Sequence, residues 1–394
     1  MDEPPSAAYA RRMDPPNQVP EDDFAGDRPG EPAAQPTTTI IGGPIGAPPA
    51  DLLPWLIVVV LAGVGGLFLG QGELGMFTAL AGLFVVAHAA DLDYGRELLY
   101  RMLAWVVPVL GVLVFASLAV VIVTGGTMSI APGSLRIGGL AGAVGLAVAV
   151  LGALLSIAFA FPAVAGAVGR WWFNTQDSSH VLRLATRMSI LGALFYVPAG
   201  VAFRSLIDDL SSSDQGLIGP GSMWGNLVGL ALLAFGGVGF RVRRSLRDTL
   251  ARLGLDEIAP AHWALVGLGV VAMMLLNGGA EWVQRTWLPA LWQSDQEVTH
   301  LITRGLSHSD AVLLGLSAGV GEELAIRGAL QPRLGILRTS AVFALLHVQY
   351  SWFGVLVIFM LGMLLGAIRR RSSTTVAVLV HALYDTLAVL LGPQ

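Results

Sequence analysis

The 394-residue sequence contains no cysteine, which excludes a disulfide scaffold, a cysteine zinc site and a thiol nucleophile. Lysine is absent too. All 23 basic residues are arginine, which with the surplus of Ala, Gly and Pro matches a GC-rich coding bias and carries no functional weight. Charge is scarce: 13% of residues, against about 25% in a soluble domain, so a fully solvated surface is excluded. The net charge of -4 and the lack of a basic stripe exclude nucleic acid as a partner. No apolar segment interrupts the first 50 residues, so no cleavable signal peptide is expected.

Hydrophobic residues, by contrast, make up 54% of the chain, and the mean hydropathy is +0.69. The charges cluster between apolar stretches of about 20 residues, the length a helix needs to cross a bilayer. The expected fold is all-α: a polytopic transmembrane helix bundle in contact with membrane lipids. Three regions are read along the chain. Residues 1–50 are rich in Pro, Ala and acids; eight carboxylates against three arginines leave a net charge of about -5. Such a segment cannot bury enough apolar surface to offset its ordering entropy, so a disordered tail is expected. Residues 51–290 hold seven expected spans, at 52–70, 75–90, 99–123, 138–166, 189–203, 222–240 and 261–279. Residues 291–394 hold four more, at 310–328, 340–350, 354–368 and 374–391. The spans at 340–350 and 354–368 are short for a bilayer, so they are expected to be longer, tilted or buried in protein. Between the two groups, 280–309 carries Trp282, Trp287 and Trp292, which suit a membrane-interface helix.

The arginines orient this list. With the N-terminus in the cytoplasm of a cell-membrane protein, 18 arginines fall in inside segments and 4 in outside segments, Arg327 lying within a span. That asymmetry is what the positive-inside rule expects. Eleven spans then leave the C-terminus outside.

Charged groups at membrane depth cost about 2.5–3.5 kcal/mol each on insertion scales, so they are functional candidates. They concentrate in the last stretch of chain: Glu322, Glu323 and Arg327 in one span, His347 in the next, His381 and Asp385 in the last. At 1.5 Å per residue all lie roughly 8–12 Å from the cytoplasmic boundary. Glu323 and Arg327 are i,i+4 with the acid first, the favourable order for a helical ion pair. Glu322 points about 100° away from Glu323 on an α-helix and has no local cation. A carboxylate without a partner in low dielectric can act as a base near neutral pH. His381 and Asp385 share a face, as do Phe343 and His347, so Phe343 wedges that imidazole. The structural alternative, a set of interhelical hydrogen bonds, returns only about 0.6 kcal/mol per bond. His88 is expected at the interface. His180, His262, His300 and His308 lie in loops or at span ends and receive no role.

Other motifs are missing. There is no HExxH zinc-protease signature, no GxGD of intramembrane aspartyl proteases, no P-loop and no dinucleotide fingerprint. Gly315-Leu-Ser317-Ala-Gly319 matches GxSxG, but a nucleophile elbow needs a strand-to-helix turn. In an apolar helix, Gly315 and Gly319 read as a small-residue packing face, and Gly362 and Gly366 as a second one.

The order Glu322-Glu323-x-x-x-Arg327, Phe343-x-x-x-His347, Phe359-x-x-Gly362-x-x-x-Gly366 and His381-x-x-x-Asp385 resembles the CPBP family. These are the CAAX-protease and bacteriocin-processing (Abi) intramembrane endopeptidases. The resemblance covers roughly residues 300–390. It implies hydrolysis of a protein or peptide substrate near the cytoplasmic side, with Glu322 activating water, His347 orienting it, and His381 with residue 385 binding the oxyanion. Asn is common in the family where this chain has Asp385. An ionised Asp cannot donate to an oxyanion, so Asp385 is protonated, orients His381 or binds a cation. A metal-dependent alternative would use zinc on His347, His381 and Asp385. The metal-free reading is preferred, because no two of these histidines share a helix at the spacing that preforms a chelate. Two further classes stand beside the protease: a non-catalytic scaffold or immunity-type protein of the same fold, and a proton-coupled transporter. Residues 52–279 hold no polar counterpart of 322–385, against the internal repeats of a transporter.

Overall fold

The computed structural model describes residues 52–68, 70–92, 100, 104–124, 139–177, 179–204, 218–347 and 349–392. The expected disordered tail, and Arg96, Arg101 and Arg136 of the orientation argument, lie outside the described residues.

Every named element among the described residues is a helix. The first region supplies α1 (Leu52–Phe68), α2 (Gly72–Asp91), α3 (Val106–Thr124), α4 (Gly139–Ala160), α5 (Pro162–Phe173), α6 (His180–Arg204) and α7 (Pro220–Gly237). It continues with the short α8 (Leu246–Leu253) and the long α9 (Pro260–Trp287). Then come α10 (Pro289–Thr303), α11 (His308–Leu316), a π-helical stretch in two parts (Ser317–Glu322 and Leu324–Leu330), α12 (Gln331–Leu345), α13 (Trp352–Arg371) and α14 (Thr374–Leu391). Starts follow local chemistry. Proline occupies the first turn of α5, α7, α9 and α10, where a missing N–H is harmless. Ser245, Ser307, Ser351 and Ser373 cap α8, α11, α13 and α14 through their side-chain oxygens.

The all-α class and the multi-pass membrane character hold. The span count differs: seven described helices are long and apolar enough to cross a membrane, against eleven expected. The four others have individual reasons. α1 has 17 residues. α7 is as long as α14 but of lower hydropathy, diluted by Pro220, Asn226 and its glycines. The 308–330 segment changes from α to π geometry partway. α12 is interrupted at Gly335, whose φ of 73° only glycine adopts easily, leaving a short regular part. The 354–368 span, by contrast, extends to Trp352–Arg371.

The single interface helix expected over 280–309 is two elements. Trp282 and Trp287 belong to the last turns of α9, 60% and 65% exposed, and α10 begins after Leu288. His88, expected at the interface, is buried within the protein, its Nε2 3.0 Å from the Gly237 carbonyl oxygen, because the end of α7 covers the end of α2.

The described residues form one compact unit. α9, α13 and α14 share a core of Val266, Met273, Leu361, Leu365, Val376 and Val380. Two close approaches place the site. A Cβ on Gly319 would lie 2.6 Å from the Ala382 nitrogen, and one on Gly315 would lie 2.4 Å from the Ala382 oxygen. α14 therefore touches the backbone of the 308–330 helix, which bears out the packing reading of this glycine pair. On its other side this helix meets α7 through Ser317, whose hydroxyl donates to the Met223 carbonyl at 2.7 Å.

Candidate active site

The helix that carries Glu322, Glu323 and Arg327 is π-helical from Ser317 to Leu330, interrupted only at Glu323. Spacing alone predicts an α-helix there. Gly319 and Gly321 weaken the α preference, and the widened i→i+5 turn is a form that recurs at functional sites. The two adjacent glutamates still diverge. Glu322 lines a cavity of about 1240 Å³ that runs between the helices; Glu323 and Arg327 are not among its walls.

Glu323 and Arg327 are both fully buried, with Arg327 Nε 3.3 Å from Glu323 Oε2. The guanidinium also stacks on Phe343, its carbon 4.7 Å from the ring centroid. The second Glu323 oxygen lies 3.0 Å from His381 Nδ1. His381 Nε2 lies 3.4 Å from Asp385 Oδ2. Each imidazole nitrogen thus faces a carboxylate. Phe343 ties the remaining helix in: its ring is 6.0 Å from His381 and 4.9 Å from His347. His347 Nδ1 lies 3.0 Å from the Phe343 carbonyl oxygen, four residues back. The wedge role read for Phe343 is therefore a contact on both sides.

Glu322 shares the cavity wall with His347, His381 and Asp385. Among the described residues no donor lies within hydrogen-bond or ion-pair distance of its carboxylate. The fold therefore brings together all six residues singled out by sequence. One carboxylate, Glu322, faces open space, and three residues form a buried ionic chain behind it.

Ser317 of the GxSxG match has no nucleophile's surroundings. It is buried, donates to Met223 and accepts from Asn226 Nδ2 at 3.3 Å. The cavity has walls that sequence reading did not assign: Tyr196 of α6, Asn226 of α7 and Asn277 of α9 all line it. Asparagines inside apolar spans were a legible signal, since an amide at that depth needs a partner. Tyr196 carried none, because a tyrosine does not stand out in hydropathy.

No group of three or more His, Asp or Glu among the described residues is arranged to hold a metal ion. Both His381 nitrogens face carboxylates, and the His347 Nδ1 lies against the Phe343 carbonyl, which leaves its Nε2 as the free ring nitrogen.

Residues 304–387 match the model of the family described as type II CAAX prenyl endopeptidase Rce1-like. The match bears out the resemblance read from the four motifs, and it contains all six site residues. Over this segment the chain is similar to that endopeptidase family. No curated protein and no solved structure matches the chain.

Proposed function

We propose that the protein is an intramembrane endopeptidase in which Glu322 activates a water molecule. One observation carries this reading: among the described residues the Glu322 carboxylate has no hydrogen-bond or ion-pair partner, and it lines a cavity whose walls also include His347, His381 and Asp385.

The atoms assign the steps. When His347 donates its Nδ1 proton to the Phe343 carbonyl, Nε2 keeps a lone pair and accepts a hydrogen bond from water. Glu322 takes the other water proton as the oxygen attacks the peptide carbonyl carbon. The oxyanion that forms shares the Nε2–H of His381 with Asp385 Oδ2, which lies 3.4 Å from that nitrogen. Collapse breaks the C–N bond, and Glu322 returns its proton to the leaving amine. Asp385 then serves to hold His381, a role that an Asn at this position would also fill through its amide oxygen. No step runs through a metal.

The test is Glu322→Gln in purified protein, assayed with a fluorogenic peptide ending in a prenylated cysteine motif and with its unprenylated twin. Loss of cleavage with unchanged folding supports the reading, and retained activity overturns it. Elemental analysis with assays in chelator accompanies this test. About one zinc per chain, with activity lost on chelation and restored by zinc, would replace the water mechanism with a metal one.

Eleven crossings of a cell membrane, N-terminus inside, belong to the same proposal. Same-side contacts support it. Arg243 lies 3.4 Å from Asp91, so an even number of crossings separates them. The long helices α3, α4 and α6 make three, and α7 supplies the fourth. Arg252 donates to the Gly328 carbonyl at 3.1 Å, and the Thr374 N–H donates to that of Gly254 at 2.9 Å. Those pairs need the 308–330 helix and α12 to cross as well.

A further inference from the structure

A second buried polar cluster stands where α9, α10 and the start of α13 meet. Asp295, on α10, is 8% exposed and pairs with no cation among the described residues. A carboxylate taken from water without hydrogen bonds is costly, and this one is surrounded by neutral donors. The Ser351 backbone N–H donates to its Oδ1 at 2.5 Å, and the Ser351 hydroxyl to its Oδ2 at 2.6 Å. Gln284 Nε2 of α9 also donates to Oδ2, at 2.6 Å. Gln284 and Ser351 are 7% and 2% exposed.

The cluster grips one particular piece of chain. Ser351 caps α13 and closes the segment that follows α12. His347 lies four residues earlier in that segment, and its carbonyl accepts from the Tyr350 N–H at 3.1 Å. From the α12 side the His347 ring is held by Phe343, through the 3.0 Å contact to its carbonyl. From the α13 side the segment is held by Asp295. A Cβ on Gly354 would approach Asp295 Oδ2 to 2.9 Å, so the first turn of α13 rests on the carboxylate. Asp295, Gln284 and His347 line the same cavity as Glu322. Neither Asp295 nor Gln284 falls within residues 304–387.

We infer that Asp295 is a positioning residue: by clamping Ser351 it fixes where His347 stands relative to Glu322. The inference rests on the peptidase reading, in which His347 orients the water. A cap that merely stabilised α13 would change thermal stability without acting selectively on turnover. A clamp on His347 changes turnover more than substrate binding, because small displacements of a group that orients the nucleophile cost rate steeply. Asparagine can keep part of the clamp. Its amide oxygen accepts from the Ser351 N–H and its NH₂ donates to the Ser351 hydroxyl oxygen.

The experiment uses the full chain in detergent with the two fluorogenic peptides, and hydrogen exchange read by mass spectrometry. Asp295→Ala is expected to lower kcat about tenfold or more while KM stays within about twofold. It should speed exchange in the peptide covering 346–354 and leave the peptides from α14 unchanged. Asp295→Asn should recover most of both losses. Should Asp295→Ala fail to fold, Ser351→Ala and Gln284→Ala carry the test, each removing part of the cluster. Unchanged kcat in a variant with faster exchange at 346–354 overturns the inference. So does unchanged exchange there, or exchange that rises evenly along the chain. A wild-type protein that cleaves neither peptide sinks the peptidase reading instead, while the exchange measurement still decides whether the clamp exists.

Discussion

Two clusters in this protein use the same three chemical groups, a carboxylate, an imidazole and a guanidinium, and differ in what surrounds them. In the first region, Asp91 meets His180 Nδ1 at 2.7 Å and Arg243 at 3.4 Å. In the last, Glu323 meets His381 Nδ1 at 3.0 Å and Arg327 at 3.3 Å. Asp91 also accepts the backbone N–H groups of His180 and Val181, so it closes the N-terminus of α6. Its partners are partly exposed, at 19% and 35% for the His180 and Arg243 side chains. Glu323 and Arg327 are sealed, and a second carboxylate, Glu322, sits next in sequence and opens into a cavity. In both places a carboxylate–His–Arg group ties helices together, and in the last region its His381 also faces the cavity. What distinguishes the candidate active site is the neighbouring carboxylate left without a partner.

Breaking each cluster should separate these roles. Glu322→Gln should lower kcat by about a hundredfold or more, the range of a lost general base, with an unchanged melting temperature. Glu323→Ala should act on stability first. It leaves the Arg327 guanidinium buried and unpaired, a loss of about 3–5 kcal/mol read from denaturant unfolding in detergent. Asp385→Asn should keep activity within about threefold, since the amide oxygen still accepts from His381. A drop of about a hundredfold would point to a bound cation at that carboxylate instead. Asp91→Ala should be mildest: about 1 kcal/mol from the lost helix cap, with cleavage unaffected. A large loss of turnover there would erase the distinction drawn between the clusters.

The absence of native cysteine offers a sharper test of how the clusters share the membrane. A single cysteine at exposed Leu337 should react with an impermeant thiol reagent from the cytoplasmic side if eleven helices cross. Reaction from the exterior would mean that only the seven long ones do.

Much of the site was legible before any coordinates. Charges are so rare in apolar spans that Glu322, Glu323, Arg327, His347, His381 and Asp385 stand out, and helical spacing paired Glu323 with Arg327 correctly. The Glu323–His381 contact was not legible, because nothing in the spacing of one helix fixes what a distant helix presents to it. Asp295 was hidden for a related reason. It lies in a polar stretch rich in Asp, Glu and Trp, where a carboxylate is unremarkable until Ser351 and Gln284 are found against it. His88 was read as interfacial because it ends a span; that α7 covers it is a tertiary fact.

By itself the sequence determined the solvent and the class: too little charge for water, apolar runs long enough for lipid, and therefore helices that satisfy their own backbone. It also determined which side chains must find partners or do chemistry, since each is costly at membrane depth. Tertiary structure decided the rest. It set Glu323 against His381 in a stretch that is π-helical rather than α-helical. Glu322 it left facing open space, and a clamp on the far side of His347 came from residues beyond the recognised motifs. These outcomes depend on how helices distant in sequence press together, and periodicity along one helix carries no information about that.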